Sequence, residues 1–338
     1  MKRIALFFDG TWSKADQSNQ TNVTKLHQAT IEGDVNSVEQ IPWYDSGVGE
    51  EGNPLEKVLG GFSGAGMEEN IAQGYKKIIE HHEEGDQIFL FGYSRGAYTA
   101  RSLAGLIRNC GLLHLDHINK IPEARKLYRK RDPGADTDEA KKFRNDYSKI
   151  VDIHFIGVWD TVGSRGLPLH FIGGLYNRKY RFHDMRLSGS VKHAYHAIAV
   201  DEKCKLFKPS VWTNDHPDVQ QVWFSGVHGN VGGGGSDPSI SDLALNWISE
   251  NAHNNGLEFK PEDLPPAPTG YLEASLSTPR KGIYKIWRPH HRKLGDSNIN
   301  TEALHRSGKE RFDDSGQDYN PDNVATYLDN PNHKVTPE

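Results

Sequence analysis

The segment Gln87-Ile88-Phe89-Leu90-Phe91-Gly92-Tyr93-Ser94-Arg95-Gly96-Ala97-Tyr98-Thr99-Ala100-Arg101 decides the fold. Its continuous apolar run, Ile88-Phe89-Leu90-Phe91, reads as a strand buried on both faces. Over residues 97–109, Ala97, Ala100, Ala104 and Ile107 share one helical face, and Gly111 stands where that helix would stop. Between the two lies the pentad Gly92-Tyr93-Ser94-Arg95-Gly96. Glycine and serine are common, so the pentad alone says little. With a buried strand before it and a small-residue helix after it, it has the form of a nucleophile elbow, a strained turn that presents a serine. Side chains at the two glycine positions would collide with the neighbouring strand and helix. The helix N-terminus behind Ser94 aims partial positive charge at any oxyanion formed there. The bland alternative is a simple glycine-rich turn.

Working outward, strand patterns recur at residues 3–8, 39–44, 151–159 and 220–227. Helical patterns lie between them. Met67, Ile71, Tyr75, Ile78 and His82 repeat at steps of three and four and predict an amphipathic helix over 66–82. Leu243, Leu245, Trp247 and Ile248 predict another over 241–253, and the charged stretch 122–148 predicts surface helices. Alternating strands and helices imply an α/β fold: a mainly parallel central sheet with helices on both faces. Residues 163–190 lack periodicity and read as a lid-like insertion, in which Leu167, Leu169, Phe171, Ile172, Leu175 and Tyr176 are either an acyl-chain groove or an ordinary packed excursion. The expected organisation is a catalytic domain over 1–260. A polar, proline-rich extension over 261–338 packs on it, with a short strand at 282–287 and a poorly ordered end.

Bulk composition narrows the function. The 338 residues are 36% hydrophobic and 25% charged, with a formal net charge of -5. That balance gives no general attraction for nucleic acid, and a nucleic-acid partner is not expected. Two distant cysteines, Cys110 and Cys204, make neither a disulfide framework nor a metal motif. The apolar run after Met1-Lys2-Arg3 is too short for a signal-peptide core, and no stretch approaches the ~20 apolar residues of a membrane span. The expected location is the cytoplasm, with export by a route that uses no cleaved signal left open.

A serine nucleophile needs a base, and the base needs an orienting acid. Asp160, in Gly157-Val158-Trp159-Asp160-Thr161-Val162, follows a predicted buried strand. Chemistry gathers at such strand ends in open α/β sheets. His228, in Gly226-Val227-His228-Gly229-Asn230-Val231-Gly232-Gly233-Gly234, ends another. The order Ser94, Asp160, His228 is that of α/β-hydrolases. The alternatives are a turn carboxylate and one polar residue among 17 histidines. The loop Phe8-Asp9-Gly10-Thr11-Trp12 would lie beside the elbow, where the N–H of Gly10 or Thr11 joins that of Arg95 in an oxyanion hole. Asp9 either orients that loop or closes a turn. A haloacid-dehalogenase-type phosphatase would need a nucleophilic aspartate where Phe7 stands, so that reading fails.

Metal binding has thin support. His193 and His196 have the i, i+3 spacing of one helix face, with Asp201 and Glu202 following, but no third ligand is fixed and the pair reads as structural. Neither a metal nor another cofactor is expected. His290 and His291, flanked by Arg288 and Arg292, read as a solvated basic patch able to meet a phosphate or headgroup. Gly232 to Gly235 lack a P-loop lysine and read as close packing around His228.

Together these motifs resemble the catalytic domain of type VI secretion phospholipase effectors of the Tle1-like kind. The matching stretches are Phe8-Asp9-Gly10-Thr11-Trp12, the run 64–71 and Phe91-Gly92-Tyr93-Ser94-Arg95-Gly96. Gly157-Val158-Trp159-Asp160-Thr161-Val162-Gly163, the run 193–202 and Trp223-Phe224-Ser225-Gly226-Val227-His228 complete them. The resemblance implies a triad on Ser94, Asp160 and His228 and ester hydrolysis, with phospholipid acyl esters as the substrate of the characterised effectors. The expected partners are a small-molecule or lipid ester substrate and, transiently, a membrane surface. Cys204 stands where the family usually has arginine. The toxins carry additional C-terminal membrane-contacting regions, whereas this sequence reads as close to a bare catalytic domain with a polar tail, so the resemblance implies mechanism more firmly than substrate. A non-catalytic binding module of the same fold, an amidase and a metal-dependent phosphoesterase are the rival expectations.

Overall fold

A computed structural model of the chain describes residues 1–10, 19–47, 64–130, 134–163, 186–214, 216–277, 289–296, 301–316 and 318–336. The chain opens with strand β1 (Lys2–Phe8), helix α1 (Asn22–Ala29), and the antiparallel pair β2 (Gly33–Val35) and β3 (Val38–Asp45). Helix α2 (Gly64–His81) leads to β4 (Gln87–Tyr93) and α3 (Arg95–Cys110). The short strand β5 (Leu112–Leu113), helices α4 (Ile121–Tyr128) and α5 (Asp138–Tyr147), and β6 (Ser148–Lys149) follow. Next come β7 (Ile153–Trp159), β8 (Val191–Ala199), β9 (Val219–Phe224), the single-turn helix α6 (His228–Gly232) and α7 (Ser239–Asn254). The chain closes with β10 (Glu302–Leu304), α8 (Arg306–Asp313), α9 (Asp322–Leu328) and β11 (Lys334–Val335).

Among the described residues the main sheet has the order β11-β10-β9-β8-β7-β4-β1-β3-β2. Every pairing in it is parallel except β2 with β3. This is the mainly parallel α/β architecture the alternating pattern implies. Period-two alternation explains how one strand serves two helical layers. Ile4, Leu6 and Phe8 of β1 pack with α2 and α3, among them Tyr75, Ile78, Ala100 and Leu103. Ala5 and Phe7 face the opposite side, with Val23 and Leu26 of α1 and Leu245 and Ile248 of α7. On that side Phe7, Phe91, Phe155 and Tyr195 form a ladder across four adjacent strands, with neighbouring ring centroids 4.9, 5.5 and 5.2 Å apart. Such contacts fix the register that the site depends on.

The chain runs from β1 outward to β3 and returns to β4 on the other side of β1. The carboxyl ends of β1 and β4 therefore flank a topological switch point, where such sheets form their crevice. Asp9 and Ser94 follow directly from those two ends.

Three expectations change. Residues 193 and 196 lie on strand β8, not on a helix. The strand is flanked by β7 and β9 and is almost wholly buried, so its run of Ala, Tyr and Ile satisfies two layers at once and mimics a helical spacing. The strand expected over 220–227 stops at Phe224, because Gly226 adopts φ +101° and turns the chain into α6. The last twenty residues carry α9 and β11. Val324 and Tyr327 join Ile198, Trp223 and Leu304 in a third apolar cluster, which orders a tail that composition alone marks as polar. The segments 164–185 and 278–288, which hold most of the lid-like insertion and the 282–287 strand, lie outside the described residues.

Candidate active site

Register brings the first two residues together. Tyr93 of β4 pairs with Trp159 of β7, so Ser94 and Asp160 stand side by side one step beyond the ladder. The Ser94 N–H donates to Trp159 O at 3.0 Å and pins the elbow to β7. Ser94 has φ 58° and ψ -115°, and Asp160 has φ 37°. Two non-glycine residues in left-handed conformations at adjacent strand ends mark strain held by the surrounding structure. The flanking glycines are steric necessities. A Cβ on Gly92 would lie 2.5 Å from the Gly96 carbonyl group, and one on Gly96 would lie 1.9 Å from Phe8 O.

His228 reaches back over both. Its Nε2 is 2.8 Å from Ser94 Oγ, and its Nδ1 is 2.5 Å from Asp160 Oδ2. An ionised carboxylate only accepts, so Nδ1 carries the proton and Nε2 is left to accept the Ser94 hydroxyl. The ring is flanked by Phe207, stacked at 4.6 Å, and Tyr93 at 4.8 Å. Gly232 admits the Tyr93 ring, since a Cβ there would lie 1.9 Å from it, and a Cβ on Gly233 would lie 2.8 Å from the Asn22 backbone. At Gly234 and Gly235 a Cβ would meet nothing nearer than 3.9 Å, so the close packing expected of the run holds at its first half only. The backbone before and at His228 is also tied down. Asp201 accepts from Gly226 N–H at 2.6 Å, and Glu202 accepts from His228 N–H at 3.2 Å.

Asp160 is fully buried. It accepts from Ala199 N–H at 3.0 Å, from His228, and from both terminal nitrogens of Arg292 at 2.6 and 2.9 Å. Burial alone would push its carboxyl up. The Arg292 charge, with the hydrogen bonds from His228 and Arg292, overcomes this and holds the group well below the usual carboxylate range. Although His291 beside it is exposed, Arg292 is only 2% exposed and does not flank a solvated patch as expected. It also donates to Ala199 O at 2.6 Å and Phe207 O at 2.5 Å. Sequence reasoning missed it. No sequence signal marks it, since its neighbours are histidine and lysine and its burial shows only in the fold.

Asp9 is buried, and its carboxylate is fully used. It accepts from Gly10 N–H at 2.6 Å, Thr21 at 2.6 Å, Thr24 at 2.8 Å and Tyr44 at 2.8 Å. Asp9 therefore shapes the loop after β1, and the Gly10 N–H points at Asp9. Thr11 lies outside the described residues. Arg95 opens α3, with its N–H at the helix N-terminus next to Ser94. The two β8 histidines separate by strand geometry, three positions apart and so on opposite faces. His193 pairs with Asp218. His196 accepts from Thr161 N–H at 3.1 Å, and burial first, then the Arg101 charge, push its pKa down to about 3. Among the described residues no cluster of three His, Cys, Asp or Glu is arranged to hold a metal ion, and no helix is long and apolar enough to cross a membrane.

A mainly parallel α/β sheet with a serine elbow at its switch point, and a buried carboxylate and a histidine from the neighbouring strand ends beside it, defines an α/β-hydrolase-type fold. The chain belongs to the family described as the type VI secretion phospholipase effector Tle1-like catalytic domain, whose model matches residues 2–251. It is 30% identical over 234 residues to the Saccharomyces cerevisiae protein called "Uncharacterized protein YEL023C", a match covering 63% of this chain and 33% of the yeast protein. Among solved structures it is similar to the Tle1 effector bound to the VgrG spike of the type 6 secretion system. That match has a TM-score of 0.43 and 19% identity, over 70% of this chain and 51% of the other. An uncharacterized Pseudomonas aeruginosa protein matches with a TM-score of 0.38 and 18% identity, over 76% of this chain and 46% of the other. The chain thus spans about a third of the yeast relative and about half of each solved structure.

Proposed function

We propose that the protein is a serine hydrolase that cleaves carboxylic esters, with phospholipid acyl esters as the substrate class favoured by its family. The observation that carries this is the unbroken hydrogen-bonded series Ser94 Oγ, His228 Nε2, His228 Nδ1, Asp160 Oδ2 at a strained elbow. In the proposed reaction His228 Nε2 takes the Ser94 proton as Oγ attacks the ester carbonyl carbon. The Arg95 N–H, at the start of α3 next to Ser94, stabilises the oxyanion. Collapse of the tetrahedral adduct breaks the ester C–O bond, and His228 passes its proton to the departing alcohol. Water, deprotonated by His228, then attacks the acyl-enzyme and releases the carboxylic acid. Asp160 remains ionised throughout and holds the His228 ring in its productive tautomer.

The test is hydrolysis of a panel of phospholipids and p-nitrophenyl acyl esters by wild-type protein and by Ser94→Ala and His228→Ala. Each variant is expected to lose at least about 10³-fold in kcat while keeping its circular dichroism spectrum. Hydrolysis that survives in Ser94→Ala, or that requires added divalent metal, contradicts the proposal.

A further inference from the structure

We propose that Arg292, which lies outside the family-matched residues 2–251, is a positioning residue of the catalytic series that holds Asp160 and, through it and Phe207, the His228 ring in place. This rests on the hydrolase reading above.

The argument starts from geometry. One guanidinium grips both oxygens of the Asp160 carboxylate and two carbonyls on separate segments, Ala199 O at the end of β8 and Phe207 O. A planar fork with fixed donors does this where an ammonium would serve only part of the set. The Phe207 ring in turn stacks on His228 at 4.6 Å and 8°. Arg292 therefore restrains the base twice, once through its carboxylate and once through its stacking partner. Its own segment is anchored. His290 N–H donates to Lys203 O at 2.9 Å, Pro289 bridges to Cys204, and the Asn323 side chain donates to Arg292 O and Val200 O at 3.2 and 3.1 Å.

The deciding experiment compares kcat and KM for wild type, Arg292→Met and Arg292→Lys, with p-nitrophenyl butyrate as substrate and fluorophosphonate labelling to count active sites. Arg292→Met is expected to lower kcat by roughly tenfold or more. Its KM should change by less than about threefold. Arg292→Lys is expected to lose kcat severalfold, less than Arg292→Met, because charge is retained and the fork is not. A folded Arg292→Met with unchanged kcat overturns the inference. If only Arg292→Lys folds, wild-type kcat or a change confined to KM overturns it. Wild-type protein with no labelling of Ser94 overturns the hydrolase reading itself and this inference with it, and so separates the two failures.

Discussion

At the residue scale, the site is a set of charges and strained backbones that only tertiary structure makes tolerable. Asp160 shows how tightly the parts are coupled. It is buried without exposure, in a left-handed conformation, and balanced by a buried arginine. Asp160→Asn therefore removes the acceptor that orients His228 and leaves the Arg292 cation without its carboxylate. The expected result is a loss of roughly 10⁴-fold in kcat together with a destabilisation of about 3–5 kcal/mol. Denaturant unfolding alongside single-turnover kinetics checks both, and a variant with wild-type stability contradicts the role given to the ion pair. Ser94 and Asp160 were legible because each directly follows a strand in a short glycine-containing motif, and His228 because it lies in the glycine-rich turn a few residues beyond β9. Arg292 was not, because its partner lies 132 positions away and its neighbours are histidine and lysine. Asp9 was half legible. Its place after the first strand was evident, but only the fold shows Thr21, Thr24 and Tyr44 consuming its carboxylate.

Elements turn these residues into a site through register and close approach. Pairing of Tyr93 with Trp159 sets Ser94 beside Asp160, and α3 packs against the end of β1 with no room for a methyl group at Gly96. Gly96→Ala is expected to push α3 away from Phe8 O, destabilise the fold by roughly 3 kcal/mol and abolish Ser94 labelling. Urea midpoints and probe labelling check this, and a labelled, stable Gly96→Ala would contradict the elbow's packing. The strands β1, β4 and β7 were readable as continuous apolar runs. Strand β8 was misread because Val191, Ala194, Tyr195 and Ile198 are buried at spacings that also fit a helix. Only its pairing with both β7 and β9 distinguishes the two.

For the whole molecule, residues beyond the family-matched core complete both the sheet and the site. Strands β10 and β11 extend the sheet past β9, and Trp223 Nε1–H donates to Glu302 at 2.8 Å. Two buried histidines make stability depend on pH. Burial lowers His196 to about 3 and His305 to about 4 from an ordinary 6.5. Both are neutral bases in the fold, so the unfolded chain binds protons first as pH falls. Their contribution is fully present above about pH 6.5 and declines towards pH 4. Each adds about 1.4 kcal/mol per pH unit to the slope. His196→Asn is expected to flatten the stability profile between pH 6 and 4 by about that amount, as read by urea unfolding, and an unchanged slope contradicts it. The central claim, that Ser94 is the nucleophile, is tested most directly by intact-protein and peptide mass spectrometry after fluorophosphonate treatment. The predicted result is one adduct per chain, on the peptide holding Ser94, absent in Ser94→Ala and slowed in His228→Ala. Ester hydrolysis with no adduct, or an adduct that persists in Ser94→Ala, would contradict it.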